Sequence, residues 1–410
     1  MSIYYLHGDI TNKITPSKKM YYFDNNSTTL IYDKVVKDNI MKWISCGNPS
    51  NTLHDYGIIA REKIEQCRHH IAADLNIYPC ELYFTSGATE SNNIAVQGIF
   101  QYYTNKYKNK KFTAITSSFE HPSVLKIFKH YEKLDNIDVV YINPCNDEKD
   151  PQFGCIKTCD VEKEITNAKN QIIIISIMHA NNETGAIQNI KKMGKMIKKY
   201  NIYFHSDMTQ SIGKLIIHPK EYYMGSISFS GHKFHGPKGI GGLYINKKYT
   251  NVLNLCYGGE QEYHRRPGTE NVAYIVGMTL ALSNIHKNRK VKNKKMQKMK
   301  EYIIDNISKK INIRVLGPSY DLCLPNTLLI LIYDIKTCNR LLITELNKKG
   351  ICVSAGSACQ TNSGSTSHVL DTMNIKKGDK LKIIRISLSD YNTFDECEYL
   401  VKNLINILKK

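Results

Sequence analysis

Two periodicities alternate along this chain from about residue 60 to about residue 275. In "IAREKIEQCRHHIAADL" (59–75) apolar residues recur at helical spacing, and the run stops before a proline. "IIIISIM" (172–178) is a short apolar run rich in β-branched residues, the pattern of a buried strand. "ELYFTSGATESNNIAVQGIF" passes from strand through a Ser-Gly turn into a helix, and "FTAITSSFEHPSVLKIFKHY" repeats the pattern with Pro122 at a helix start. "QIIIISIMHANNETGAIQNIKKMGKMIKKY" adds a strand, a polar loop and an amphipathic helix, and "IYFHSDMTQSIGKL" another strand and loop. Strands alternating with helices predict an α/β fold with a mostly parallel sheet.

The pattern changes near residue 283. "NIRVLG", "NTLLILIY", "GICVSAGSAC" and "KIIRISLS" read as strands, with helices over Cys338–Lys348 and at the C-terminus. The expected division is an N-terminal extension (1–20), a large domain (21–282) and a smaller α+β C-terminal domain (283–410). In parallel sheets, ligands sit at the carboxyl ends of the strands. The polar loops "SGATES", "SSFEHPS", "HANNETG" and "HSDMTQS" should therefore converge on one crevice.

No apolar run reaches the ~20 residues that span a bilayer, so no membrane segment is expected. The first twenty residues lack a secretory apolar core, and a cytoplasmic location is expected. Twelve cysteines without paired spacing point to reduced thiols. "CIKTC" (155–159) has no second half to complete a zinc site, and no metal is expected. The net charge of +19 is concentrated in "NKYKNKK" (105–111) and "HKNRKVKNKKMQKMK" (286–300). The second run reads as a solvent-facing helix or connector, without interleaved aromatics for stacking bases. Only weak, salt-sensitive, sequence-blind nucleic-acid binding follows from the charge.

The glycine-rich stretch "SFSGHKFHGPKGIGG" (228–242) fits neither a P-loop nor a G-x-G-x-x-G turn. Lys233 stands within it between His232 and Phe234. A lysine so placed suits a Schiff base with the carbonyl of a phosphate-bearing cofactor. Asp207, ending an apolar strand, is placed to face a protonated ring nitrogen. A lysine with such an acidic partner is the signature of pyridoxal 5'-phosphate (PLP).

At this point the chain resembles the group I (NifS/IscS-like) cysteine desulfurases of the class V aminotransferase family. Ten stretches carry the resemblance, in family order from Tyr21 to Thr393: "YYFDNNSTTL", "GNPSNTLHDYG", "FTSGATESNN", "EHPSVL", "HANNETGAIQ", "HSDMTQSIGK", "SGHKFHGPKGIGGLYI", "RRPGTENVAYIVGM", "SAGSACQTNSGSTSHVLDTM" and "IRISLSDYNT". The resemblance implies a PLP-dependent fold-type I large domain and a small domain carrying a catalytic cysteine loop. It makes Lys233 the Schiff-base lysine, Asp207 the partner of the pyridine nitrogen, and Gln210 the partner of the phenolic oxygen. His121 matches the histidine that stacks on the ring and moves protons. Ala88, Thr89, Ser230, Gly231 and His232 match phosphate-side positions. Thr269 resembles a threonine that reaches the cofactor phosphate of the other subunit, which implies a homodimer. Asn182 and Arg385 match groups near the cofactor and the substrate carboxylate. Cys359, in "GSACQTNSGSTS", matches the thiol that takes sulfur from L-cysteine as a persulfide and leaves L-alanine. The implied recipient is a sulfur-acceptor protein of iron–sulfur cluster assembly or tRNA thiolation. "SGST" departs from the Leu-Glu-Pro-like segment common in the family, a change that bears on docking more than on chemistry. Selenocysteine lyases and other class V PLP enzymes such as aminotransferases share the scaffold. A non-enzymatic scaffold or nucleic-acid-binding protein is the alternative of a different class.

Overall fold

The structure is a computed structural model, and it describes residues 18–249, 251–336, 338–356 and 367–409. In chain order its strands are β1 (Tyr21–Tyr22), β2 (Leu82–Thr85), β3 (Phe112–Ser117), β4 (Ile137–Ile142), β5 (Gln171–Ser176), β6 (Tyr203–Asp207), β7 (Ser226–Ser230), β8 (Gly241–Ile245), β9 (Ile313–Val315), β10 (Thr327–Ile332), β11 (Ile351–Cys352) and β12 (Ile383–Ser387). Seven of them form the main sheet, in the order β2-β8-β7-β6-β5-β3-β4. Only β8 runs against its neighbours, so the sheet is mostly parallel, as the alternation predicts.

Strand periodicity divides the side chains of this sheet between two cores. Ile115, Ile175, Phe204 and Tyr244 enter one. Their neighbours Ala114, Ile174, Tyr203 and Leu243 enter the other. Both faces are covered, which is why β3 and β5 read as near-continuous apolar runs.

The last two glycines of "GIGG", Gly241 and Gly242, serve this packing. A Cβ on Gly242 would lie 2.2 Å from the Phe229 ring, and one on Gly241 would lie 2.6 Å from the Gly87 backbone. They let β8 press against β7 and the turn after β2. No phosphate cradle is needed to explain them.

A second sheet, β12-β10-β9, is antiparallel. Its centre, β10, shares its side chains between two cores. Leu329 and Leu331 join the main core, while Leu328, Ile330 and Ile332 join a separate one. The lysine-rich run forms the helix Arg289–Ser308, whose buried residues are Met296, Met299, Lys300, Ile303 and Ile307. It is thus half core element, and one of its lysines lies inside. The expected strand at "GICVSAGSAC" reduces to β11 and an isolated bridge at Ser354. β11 pairs in parallel with β1, so the chain near its start is stitched to the C-terminal region.

Helix ends follow local chemistry. The helix expected from Ile59 begins at Asp55, with His54 accepting from the Gly57 amide, and ends at Leu75 before a left-handed Asn76. The helix Pro122–Tyr131 starts with proline in its first turn and His121 as its N-cap. No helix of the described residues is long and apolar enough to cross a membrane.

Candidate active site

The carboxyl ends of β2, β3, β5, β6 and β7 open into one cavity of about 490 Å³. The four predicted loops converge there, joined by residues 26–28 and by His368 and Arg385.

Lys233 ends a short 3₁₀ turn, Gly231–Lys233, directly after β7. Its Nζ donates to the backbone carbonyls of Asn26 (2.6 Å) and Ser27 (2.9 Å). Asp207 is the last residue of β6 and is only 4% exposed. Both of its oxygens accept: Oδ2 from Asn92 Nδ2 at 2.8 Å and Oδ1 from the Thr209 amide at 2.9 Å. Asn92 is oriented in turn, because its Oδ1 accepts from Ser228 Oγ and from His205 Nε2. Burial pushes His205 well below its ordinary range, so it stays neutral.

Among the described residues His121, His232 and His368 line the cavity, and the first and last of these are held as opposite tautomers. His121 Nδ1 accepts from the Ser123 amide at 3.2 Å, which puts the proton of the neutral ring on Nε2. His368 Nε2 faces the Glu120 carbonyl at 2.9 Å and must donate to it, leaving Nδ1 as the acceptor. His121 thus presents its Nε2 proton. Burial lowers the pKa of His121; Asp207 works against that, and Lys233 and His368 add to it.

Arg385, in the middle of β12, is 1% exposed. Its Nη2 donates to Asp24 Oδ1 (2.8 Å) and Ser27 Oγ (2.7 Å), and its Nη1 to the Asn182 carbonyl (2.9 Å). Its Nε is buried with no partner among the described residues. The predicted neighbours Arg385 and Asn182 do meet, through the Asn182 backbone. Part of the guanidinium fork is already taken by Asp24.

Ala88 and Thr89 open the helix Ala88–Asn92, which runs through a π turn into Gly98–Lys106; Gly87 caps it without a side chain. Ser230 and His232 line the cavity beside them. His232 is held down to about 4 by burial, with Lys233 and Lys238 adding to the effect. Gly231 is buried behind this wall, its amide donating to the Ile240 carbonyl, and does not line the cavity. Thr269 is exposed and outside the cavity. Cys359 lies outside the described residues.

Several residues singled out by no sequence signal of their own complete the site. Glu183 accepts from Ser367 Oγ at 2.7 Å, and a Cβ on Gly356 would lie 3.2 Å from its Oε2. Both described ends of the 357–366 segment therefore stand against one carboxyl group. Burial raises the pKa of Glu183. Burial also pushes Glu120 up to about 8, against the pull of the Ser117 hydroxyl and the Met178 amide. Asn26, Asn92, Glu120, Glu183 and His368 all sit inside the quoted motifs. The available signal was polar residues on otherwise buried positions.

The aminotransferase class-V family model matches residues 21–400. The chain belongs to the class V aminotransferase family. Among its curated relatives is the cysteine desulfurase IscS of Dictyoglomus turgidum, 34% identical over 395 residues, covering 96% of this chain and 95% of that one. Among solved structures, a NifS-like protein superposes with a TM-score of 0.84 at 32% identity, covering 95% of this chain and 99% of that one. A structure described as SspA in complex with cysteine gives 0.75 at 30% identity, covering 91% of this chain and all of that one.

Class V membership implies PLP, and the cavity suits that group. It joins a lysine amine, a carboxylate satisfied by two donors and a helix N-terminus without a side-chain cap. Gln210 lines it with its amide oxygen buried and without a partner among the described residues, its Nε2 donating to the Asn26 carbonyl at 3.0 Å. Among the described residues no group of three His, Cys, Asp or Glu side chains is placed to hold a metal.

Proposed function

We propose that this chain is a PLP-dependent L-cysteine desulfurase. The observation that carries the reading is the convergence of Lys233, Asp207, His121 and Arg385 on one cavity whose wall, at Glu183, meets both ends of the segment bearing Cys359. When bound, PLP would supply a carbonyl for amines and an electron sink for the substrate Cα. Lys233, Asp207 and Gln210 would hold its ring side, and Ala88, Thr89, Ser230 and His232 its phosphate.

Arg385, which lines the cavity, binds the substrate carboxylate. Asn182 positions Arg385 through its carbonyl. Lys233 removes the Cα proton. Its two carbonyl acceptors, Asn26 and Ser27, hold the amine in place until then. His121 serves the ring face and offers its Nε2 proton near the thiol. Cys359, as thiolate, attacks the substrate sulfur, so that an S–S bond forms as the Cβ–S bond breaks and alanine departs. The persulfide then passes to an acceptor protein of iron–sulfur cluster assembly or tRNA thiolation. Thr269 belongs to the reading as a contribution to the partner's site in a homodimer, consistent with its exposed position outside its own cavity. A cytoplasmic enzyme with reduced thiols fits this chemistry.

The test is Cys359→Ser. It should bind PLP and L-cysteine as wild type does, yet form no persulfide and almost no alanine, because a serine oxygen holds no sulfane sulfur. A wild-type rate of alanine formation in this variant overturns the reading.

A further inference from the structure

Behind the active-site loop lies a second cavity of about 430 Å³, lined by residues that include Phe153, Thr184, Lys300, Tyr320, Cys323 and Leu329. Lys300 reaches it from the helix Arg289–Ser308 and is 2% exposed. Its Nζ lies 3.1 Å from Cys323 Sγ and 3.3 Å from the Leu324 carbonyl. Both carboxylates of this cavity are engaged elsewhere, Asp150 with Lys157 and Glu148 with Arg314, each at 2.6 Å. Among the described residues, then, a buried amine faces a thiol with no carboxylate to neutralise it. Placing a charge inside a protein requires a compensating partner. An ammonium at Lys300 and a thiolate at Cys323 would each supply the other's partner. A thiolate opening on a cavity is nucleophilic.

We propose that Cys323 is a peroxide-reactive modification site whose oxidised sulfur is captured by Lys300 as a covalent sulfur–nitrogen link. The thiolate attacks hydrogen peroxide, the O–O bond breaks, and a sulfenic acid and hydroxide form; sulfur is oxidised by two electrons and the peroxide is reduced. The ammonium gives its proton to the hydroxide, releasing water and leaving a neutral amine beside the new sulfur. That amine displaces the sulfenic oxygen as a second water and forms the S–N bond. In total, thiolate, ammonium and one peroxide give the link and two waters. Cys155 is the competing neighbour. Burial, with Cys323 and Cys145 adding to it, pushes its thiol up to about 12, which keeps it protonated and a poor nucleophile. The link would tie the helix Arg289–Ser308 to Cys323, whose backbone bridges Ala186 and whose thiol contacts the Thr184 carbonyl, next to Glu183 of the active-site wall. A thiol reductant would reverse it.

The experiment treats the PLP-loaded enzyme with hydrogen peroxide and reads intact mass and a non-reducing peptide map. A loss of two hydrogens and a cross-linked peptide pair containing Lys300 and Cys323, released by dithiothreitol, is the expected result. Lys300→Met, similar in length, should abolish the link and, with no ammonium to partner the thiolate, leave Cys323 slower to form dimedone-trapped sulfenic acid than the wild type is to form the link. Cys323→Ser should lose both signals, and Cys155→Ala should keep the link. Circular dichroism confirms that each variant is folded. The proposal is overturned if Cys323 in the folded wild type stays unmodified at peroxide levels that oxidise exposed thiols. A pairing of Cys323 with Cys155 in place of Lys300 overturns it equally.

Discussion

Lys233 and Lys300 are both drawn inside this fold, but the structure surrounds them differently. Lys233 ends in a crevice assembled from five strand ends, its amine resting on two backbone carbonyls that also line the cavity. Lys300 leaves a helix face for a cavity formed largely by turns, and its amine meets a thiol. The first environment sets an amine against backbone acceptors at the edge of a cavity. The second pairs it with a nucleophile already present. Burial of a lysine therefore says little until the partner of its nitrogen is known.

The largest expected effect would break that comparison outright. Lys233→Ala should lose every trace of cofactor fixed to the chain by borohydride, whereas Lys300→Met should retain the wild-type amount. Label persisting in the first variant, or vanishing from a folded second one, would show the crevice assigned to the wrong lysine. A middle-sized effect concerns the cation opposite Lys233. Arg385→Lys keeps the charge but loses the planar fork. A hydrogen bond to a charged group is worth about 1.5–3 kcal/mol, so KM for cysteine should rise by roughly ten- to a hundredfold. Steady-state kinetics showing an unchanged KM would remove Arg385 from the substrate carboxylate.

The smallest effect sharpens the comparison by separating the electrostatics of the crevice wall from its chemistry. Glu120 has a folded pKa of about 8, above its ordinary 4.5, so the folded state keeps a proton that the unfolded chain releases. Stability should therefore fall as pH rises from 4.5 to 8. Glu120→Gln keeps an oxygen for the Ser117 hydroxyl and the Met178 amide without the titration. Denaturant melts of this variant should lack that decline, with a gain of a few kcal/mol at most above pH 8. A parallel decline in variant and wild type would place the slope elsewhere.

The crevice was legible because its residues lie at the ends of runs whose periodicity marks them as strands. Asp207 after "IYFHS" is located by that rule, and Lys233 by its glycine-rich stretch, before any resemblance is invoked. The supports of those residues were not. Asn92 orients Asp207 across 115 positions of sequence, and no local pattern announces such a contact. The two-residue β1 is too short for a periodicity, and its partner β11 is more than three hundred residues away. Lys300 was read with the solvated lysines around it, because composition shows a basic run and not which member turns inward. The consecutive left-handed backbone at Glu262, Tyr263 and His264 has no glycine to signal it. It is held in place by Arg68, which binds Glu262 through both nitrogens of its fork at 2.8 and 2.9 Å.

The pairing of the two ends of the chain also sets a schedule. Asn26, whose carbonyl holds Lys233, has its own amide on Ser387 Oγ, 361 positions later. A ribosome elongating at about 5–20 residues per second delivers that serine roughly 20 to 70 seconds after the asparagine. Through that interval the main sheet can form while the segment bearing Asn26 and Ser27 waits without its later-made anchor. The nascent chain thus acquires Lys233 before the serine that anchors the seat of its amine.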